Sequence, residues 1–175
     1  MDGVVVVHDR YQVHGKLPGL IRQLCCQHLT RDCEDAARTY PAEHWPVQVR
    51  EALQGLIHAA NTARGQGPPA VPPGIAAPFT RAFEHGVIPG PGQVPRRQGR
   101  KQLRHRALPE ALRDRHDDIL RFAHDLRIPP TSNDAERDLR PAKTQQKISG
   151  RLRSEQVTRN RYAIRGYIST AESTC

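Results

Sequence analysis

Two acids in this 175-residue chain have neighbours suited to metal and phosphate chemistry. Asp9 closes the run Val4–Val5–Val6–Val7–His8, and Glu136 ends Thr131–Ser132–Asn133–Asp134–Ala135, with Arg137, Arg140, Lys143 and Lys147 close behind. A carboxylate beside a line of cations is the arrangement that Mg²⁺ and phosphate together require, a hard oxygen for the ion and positive charge for the polyanion. Glu136 also has a local role open to it. Asn133 at a helix N-cap with Glu136 three residues later is a variant of the capping box, and a carboxylate in a first helical turn can still face a metal. Cys25, His28 and Cys33 invite a different metal, but a tetrahedral zinc site needs about four ligands and no second pair answers them. Core packing accounts better for these residues. The Gly-Pro segments lack the Lys and Ser/Thr of a phosphate-binding loop.

The elements that must position these acids can be read in outline. Val4–Val7 is β-branched with no polar alternation, the pattern of a strand buried on both faces of a mostly parallel sheet. Asp9 then lies at the carboxyl end of that strand, the edge where open α/β sheets bind ligands. Leu17, Leu20, Ile21, Leu24, His28 and Leu29 recur at helical spacing, with Pro18 in the first turn. The polar side of this helix carries Arg22, Gln23, Arg31 and Arg38. A second amphipathic helix is expected over Val47–Ala63, on Val49, Leu53, Leu56, Ile57 and Ala60, and a third over Leu108–Leu126, on Leu112, Ile119, Ala123 and Leu126. Between them, residues 65–99 are dense in Pro and Gly and read as a loop. That loop ends in Arg96, Arg97, Arg100, Lys101, Arg104 and Arg106, either a solvated run or a phosphate-contacting arm. A short helix from Asp134 should stop at Pro141, and Ser154 should cap a last helix with Val157, Ile164, Ile168 and Ala171 on its stripe. A strand buried on both faces needs neighbours on both edges. With one strand recognisable, its partners are expected upstream of Met1.

Charge and apolar runs narrow the function classes. Lys and Arg number 27 against 18 Asp and Glu, a formal charge of +9, so a polyanionic partner is favoured, with a merely basic protein as the plain alternative. No apolar run approaches the ~7–15 residues of a signal-peptide core or the ~20 of a membrane span, so the chain reads as cytoplasmic with no membrane partner. Its four cysteines are then expected to stay reduced.

The segment from Thr131 to Gly150 resembles the glutamate motif of the insertion sequence 66 family of DDE transposases. Asn133, Ala135–Glu136–Arg137, Arg140–Pro141, Lys147 and Ser149–Gly150 carry the likeness. His8–Asp9–Arg10–Tyr11 looks like the family's second aspartate motif, and Cys25–Cys26–Gln27–His28 with Arg31 resembles its Cys-x-x-His helix. Tyr167–Ile168–Ser169–Thr170–Ala171 is similar to its terminal helix. The resemblance implies an α/β chain, mostly α-helical here: a partial RNase H-like fold with a helical insertion. Residues 1–40 would be the strand and helix carrying the second aspartate, 41–128 the insertion with a Pro/Gly-rich basic loop at 65–106, and 129–175 the C-terminal helices carrying the glutamate. It also implies DNA transposition by phosphoryl transfer with two Mg²⁺ ions, with Asp9 and Glu136 as catalytic metal ligands. DNA contacts are then expected from Arg31, Arg137, Arg140, Lys143, Lys147 and Arg151. The family's first aspartate belongs to an earlier strand. Asp2 cannot replace it, lying about 23 Å from Asp9 along the extended strand. The chain is therefore expected to be a truncated transposase, inactive alone. The alternative is a non-catalytic remnant that binds DNA, a full-length transposase or a second copy of itself.

Overall fold

The computed structural model describes residues 5–9, 19–88, 100–148 and 154–174; side chains at 100–106, 142–143, 145–148, 157, 161, 165 and 168–174 lie outside the description. The chain divides into two compact units, Met1–Thr131 and Ser132–Cys175. Helix predominates. Among the described residues there are two strands, β1 (Val5–His8) and β2 (Ile21–Leu24), and seven helices. The first unit holds both strands with α1 (Cys26–Thr39), α2 (Trp45–Arg64), α3 (Pro73–Val87), α4 (Arg100–Asp114) and α5 (His116–His124). The second holds α6 (Asn133–Ile148) and α7 (Glu155–Thr174). None of the described helices is long and apolar enough to cross a membrane.

The valine run forms β1 as its β-branched composition predicts, but Val5, Val6 and Val7 are only partly buried. One of its neighbours lies downstream, within the chain. β2 pairs with β1 in parallel, in the register Val5↔Ile21 to His8↔Leu24. This overturns the helix expected across residues 17–29: Ile21–Leu24 is strand, and α1 starts only at Cys26. Gln23 explains the change. It is fully buried. Its Nε2 donates to the carbonyls of Leu24 and Ile119 at 2.8 and 2.9 Å, and its Oε1 accepts from the Phe122 amide at 3.0 Å. The Arg121 guanidinium adds a bond to the Arg22 carbonyl at 2.9 Å. The side of β2 away from β1 is thus covered by α5, whose polar groups stand in for a further strand.

The core of the first unit forms where α2 meets α1 and α3. Val49, Leu53, Leu56 and Ala60 are buried on α2 as their spacing predicts, with Trp45 and Ala63 extending the stripe. Residues 73–87, expected as loop, are α3. Pro73 stands in its first turn, where a missing N–H is harmless, and Phe83, Gly86 and Val87 are buried. The contact is close enough that a Cβ on Gly55 would lie 2.2 Å from Cε1 of Phe79, and one on Gly86 2.8 Å from Cγ2 of Val49. The expected third helix is two. A turn at Arg115 separates α4 from α5, although Leu112, Ile119, Ala123 and Leu126 are all buried. The backbone of residues 100–106 is helical, so the basic loop at 65–106 is interrupted twice. The remaining cluster residues, Arg96 and Arg97, lie outside the described residues.

Candidate functional site

Asp9 is exposed and follows the last residue of β1. The Cys25 amide donates to the His8 carbonyl at 2.8 Å, closing the ladder one residue before the acid. His8 is buried, and its Nδ1 meets the carbonyl of Asp9. Asp9 therefore stands where the sheet ends, at the edge predicted for it. The neighbouring strand end supplies no oxygen side chain. It leads into Cys25 and Cys26, both buried thiols. Burial, and to a smaller degree Cys25, push the Cys26 thiol well above its ordinary range, so it is held protonated and unreactive. Cys33 joins Cys26 in the hydrophobic core, in keeping with packing as the role of these residues.

The approach to Glu136 starts in the first unit. Leu126, Ile128 and Pro130 are buried, while Arg127 and Pro129 are exposed. The Pro130 carbonyl accepts from the Cys26 amide at 2.8 Å, next to the carboxyl end of β2. Within the second unit, Ser132 is the cap of α6. Its carbonyl accepts from the Glu136 amide at 2.9 Å, and its hydroxyl donates to Glu136 Oε1 at 2.7 Å. The capping role expected of Asn133 thus falls one residue earlier, and Asn133 is the first helical residue. Glu136 is half-buried in the first turn, where a carboxylate also complements the helix dipole.

α6 does not stop at Pro141 but runs on to Ile148. An interior proline removes one N–H bond and crowds the carbonyl four residues back, yet the helix continues through Pro141. The continuation matters for the charge pattern. At 3.6 residues per turn, positions 136, 140, 143 and 147 fall within one narrow stripe of a single helix. Glu136 thus shares a helix face with Arg140 and with the backbone positions of Lys143 and Lys147, whose side chains are outside the description. Arg140 is exposed. Arg137 is rotated off this stripe and is exposed, 3.2 Å from Asp134. Arg31 is exposed on α1, in the other unit, and Arg151 lies outside the described residues.

Asp9 and Glu136 are hard-oxygen donors of the kind Mg²⁺ takes, and each suits service as a single ligand. No group of three or more His, Cys, Asp or Glu able to hold a metal is found among the described residues. Three polar residues that support this region escape a reading by periodicity: Gln23, Arg64 and Ser132. Ser132 alone has a local cue, the Thr–Ser–Asn run before the acidic turn. Compared with known proteins, the family model described as Transposase IS66 family matches residues 1–160. No match was found among curated proteins or among solved structures.

Proposed function

The chain belongs to the IS66 family of transposases, and we propose that its part in transposition is to grip DNA along α6 and to supply Asp9 and Glu136 as two of the carboxylates of a metal-dependent strand-transfer centre. The observation that carries this reading is the alignment of Glu136 and Arg140 with the positions of Lys143 and Lys147 along one helix. A phosphodiester backbone lying on that stripe meets positive charge at each turn, and the acid stands at the stripe's head. Ser132 orients the Glu136 carboxylate by donating its hydroxyl to Oε1. When bound, divalent cations would supply the charge that activates a water or 3′-hydroxyl and steadies the leaving oxygen. Arg31, Arg137 and Arg151 add charge for the same polyanion.

A pair of cations needs a bridging ligand and separate ones. β2 ends in buried thiols, and its outer side is covered by α5. A strand bringing a further carboxylate would therefore pair with the other edge of β1, as in an RNase H-like sheet. On this reading, a chain without that strand would bind DNA and not cut it.

The test is a titration of linear duplex DNA with the purified chain at several salt concentrations, with Mg²⁺ present. Binding should weaken steeply with salt, and the Arg140→Ala, Lys143→Ala, Lys147→Ala triple variant should lower the log–log slope by about 2–3. An unchanged slope would remove α6 from the interface. Nicking by the parent chain, abolished by Asp9→Ala or Glu136→Ala, would overturn the claim that a further carboxylate is needed.

A further inference from the structure

The basic run at residues 96–106 has two readings in the sequence, a solvated segment or an arm that contacts phosphate. Two observations favour the second. One is where the charge of the first unit lies. That unit holds 18 Lys and Arg against 13 Asp and Glu. Six of those cations fall within residues 96–106, which contain no acid, so the rest of the unit carries 12 against 13. Three of its exposed arginines are also paired: Arg38 with Asp35 at 3.5 Å, Arg113 with Asp114 at 2.9 Å and Arg127 with Asp125 at 2.8 Å. A polyanion drawn to this unit therefore meets its unbalanced charge in one short stretch.

The other observation is the make-up of α4. Its backbone is helical from Arg100 to Asp114, and Leu108 and Leu112 are buried in the core. Continued upstream at helical spacing, that stripe passes through positions 101, 104 and 105, which are Lys, Arg and His. The first two turns thus have no apolar stripe to pack by. They lack local electrostatic support as well. No acid stands in the first turn, where the helix dipole favours one. Arg100 and Arg104 are four residues apart, the spacing at which like charges destabilise a helix. A line of phosphates removes both costs.

We infer that the opening of α4 is a separate DNA-backbone site in the first unit, and that the duplex it binds stabilises this part of the helix. Positions 100, 101 and 104 share one face of α4, so Arg100, Lys101 and Arg104 are the cations that meet the phosphates. Contacts of this kind hold the duplex without reading its sequence. The inference rests on DNA as the partner, as proposed above, but not on α6.

The experiment titrates linear duplex DNA with the full chain at several salt concentrations. The Arg100→Ala, Lys101→Ala, Arg104→Ala variant is compared with a charge-matched Arg38→Ala, Arg113→Ala, Arg127→Ala control. The α4 variant should lower the log–log slope by about 2–3, and the control by less than about 1. In the parent chain, amide exchange at residues 101–106 should slow about tenfold when duplex is added, with Leu53 and Leu56 of α2 unchanged. Equal losses from the two variants, or exchange at 101–106 that duplex leaves unaltered, overturns the inference. So does an α4 variant that keeps the parent's DNA slope and loses only binding to anionic phospholipid vesicles. If the α4 variant lowers the slope and the Arg140→Ala, Lys143→Ala, Lys147→Ala variant does not, the site on α4 stands and the grip along α6 falls. The reverse result removes α4 and leaves α6. A parent chain that does not bind duplex at any salt concentration fails both.

Discussion

Gln23 is a polar side chain at 0% exposure in a unit whose remaining core is mostly apolar. Replacing it with leucine keeps the approximate volume and removes its three hydrogen bonds to backbone groups, the Leu24 carbonyl, the Ile119 carbonyl and the Phe122 amide, besides a long contact to Cys26 Sγ at 3.9 Å. At about 1 kcal/mol net for each bond, the loss is about 3 kcal/mol. Burying leucine rather than an amide returns about 1 kcal/mol. Gln23→Leu should therefore lower the unfolding free energy of the first unit by about 2 kcal/mol, and Gln23→Ala by about 2 kcal/mol more through the cavity it leaves. The assay is urea denaturation followed by fluorescence. Trp45 is the chain's one tryptophan and is buried in α2, so the signal reports on this unit. The midpoint should fall with the m-value unchanged. A Gln23→Leu variant within about 0.5 kcal/mol of the parent would refute the reasoning, because the amide's desolvation would then cancel what its partners return.

Gly55→Ala should destabilise the same unit by about 1 kcal/mol: about 1 kcal/mol gained in helix propensity is outweighed by about 2 for displacing the Phe79 ring. In a Phe79→Leu background the ring edge that stands 2.2 Å from the new methyl is gone, so the same substitution should be neutral or stabilising by thermal melt. In a Cys175→Ser chain, Cys25, Cys26 and Cys33 should resist an aromatic disulfide reagent under native conditions and all react in denaturant, since each is buried and the Cys26 thiol is pushed up. Rapid native labelling of any of the three would contradict the packing around α1.

The elements legible in the sequence are those whose stability is local or follows one period. β1 is marked by its valines, and α2 by a stripe from Val49 to Ala60 that packs as read. β2 was not legible because Ile21 and Leu24 fit a helical stripe equally well, and because Gln23 reads as a solvent-facing residue. Its partners lie 96 and 99 residues away in sequence, a distance at which periodicity carries no information. α3 is hidden in the sequence because its segment is dense in proline, although position decides what a proline does. Pro73 suits a first turn, and the Ala76, Phe79, Phe83, Val87 spacing behind it is that of an amphipathic helix. Pro141 likewise does not end the helix that is expected to stop there. Of the site, Asp9 at a strand end and Glu136 in a first turn were both readable. The residues that fasten their surroundings were not, because Arg64 and Gln23 act on backbone groups far along the chain.

A two-stranded sheet is marginal in water, yet this one carries the proposed ligand Asp9, which must be held still to be useful. The structure meets that demand unequally on its two sides. Beyond β2, the polar atoms that a third strand would satisfy are taken by Arg121 and by the amide of Gln23, so α5 acts as an edge cover and an added strand there would displace bonds already made. β1 presents valine on its three partly buried positions, with no proline or charge within Val5–Val7 to discourage pairing. Among the described residues no strand pairs with the other edge of β1, so the further strand of the proposed centre would add there, beside the strand that ends in Asp9. A strand arriving there in parallel would bring its own carboxyl end beside Asp9, about 4.8 Å across the sheet. That separation lets two carboxylates share a cation, which a carboxylate on the far side of β2 could not do.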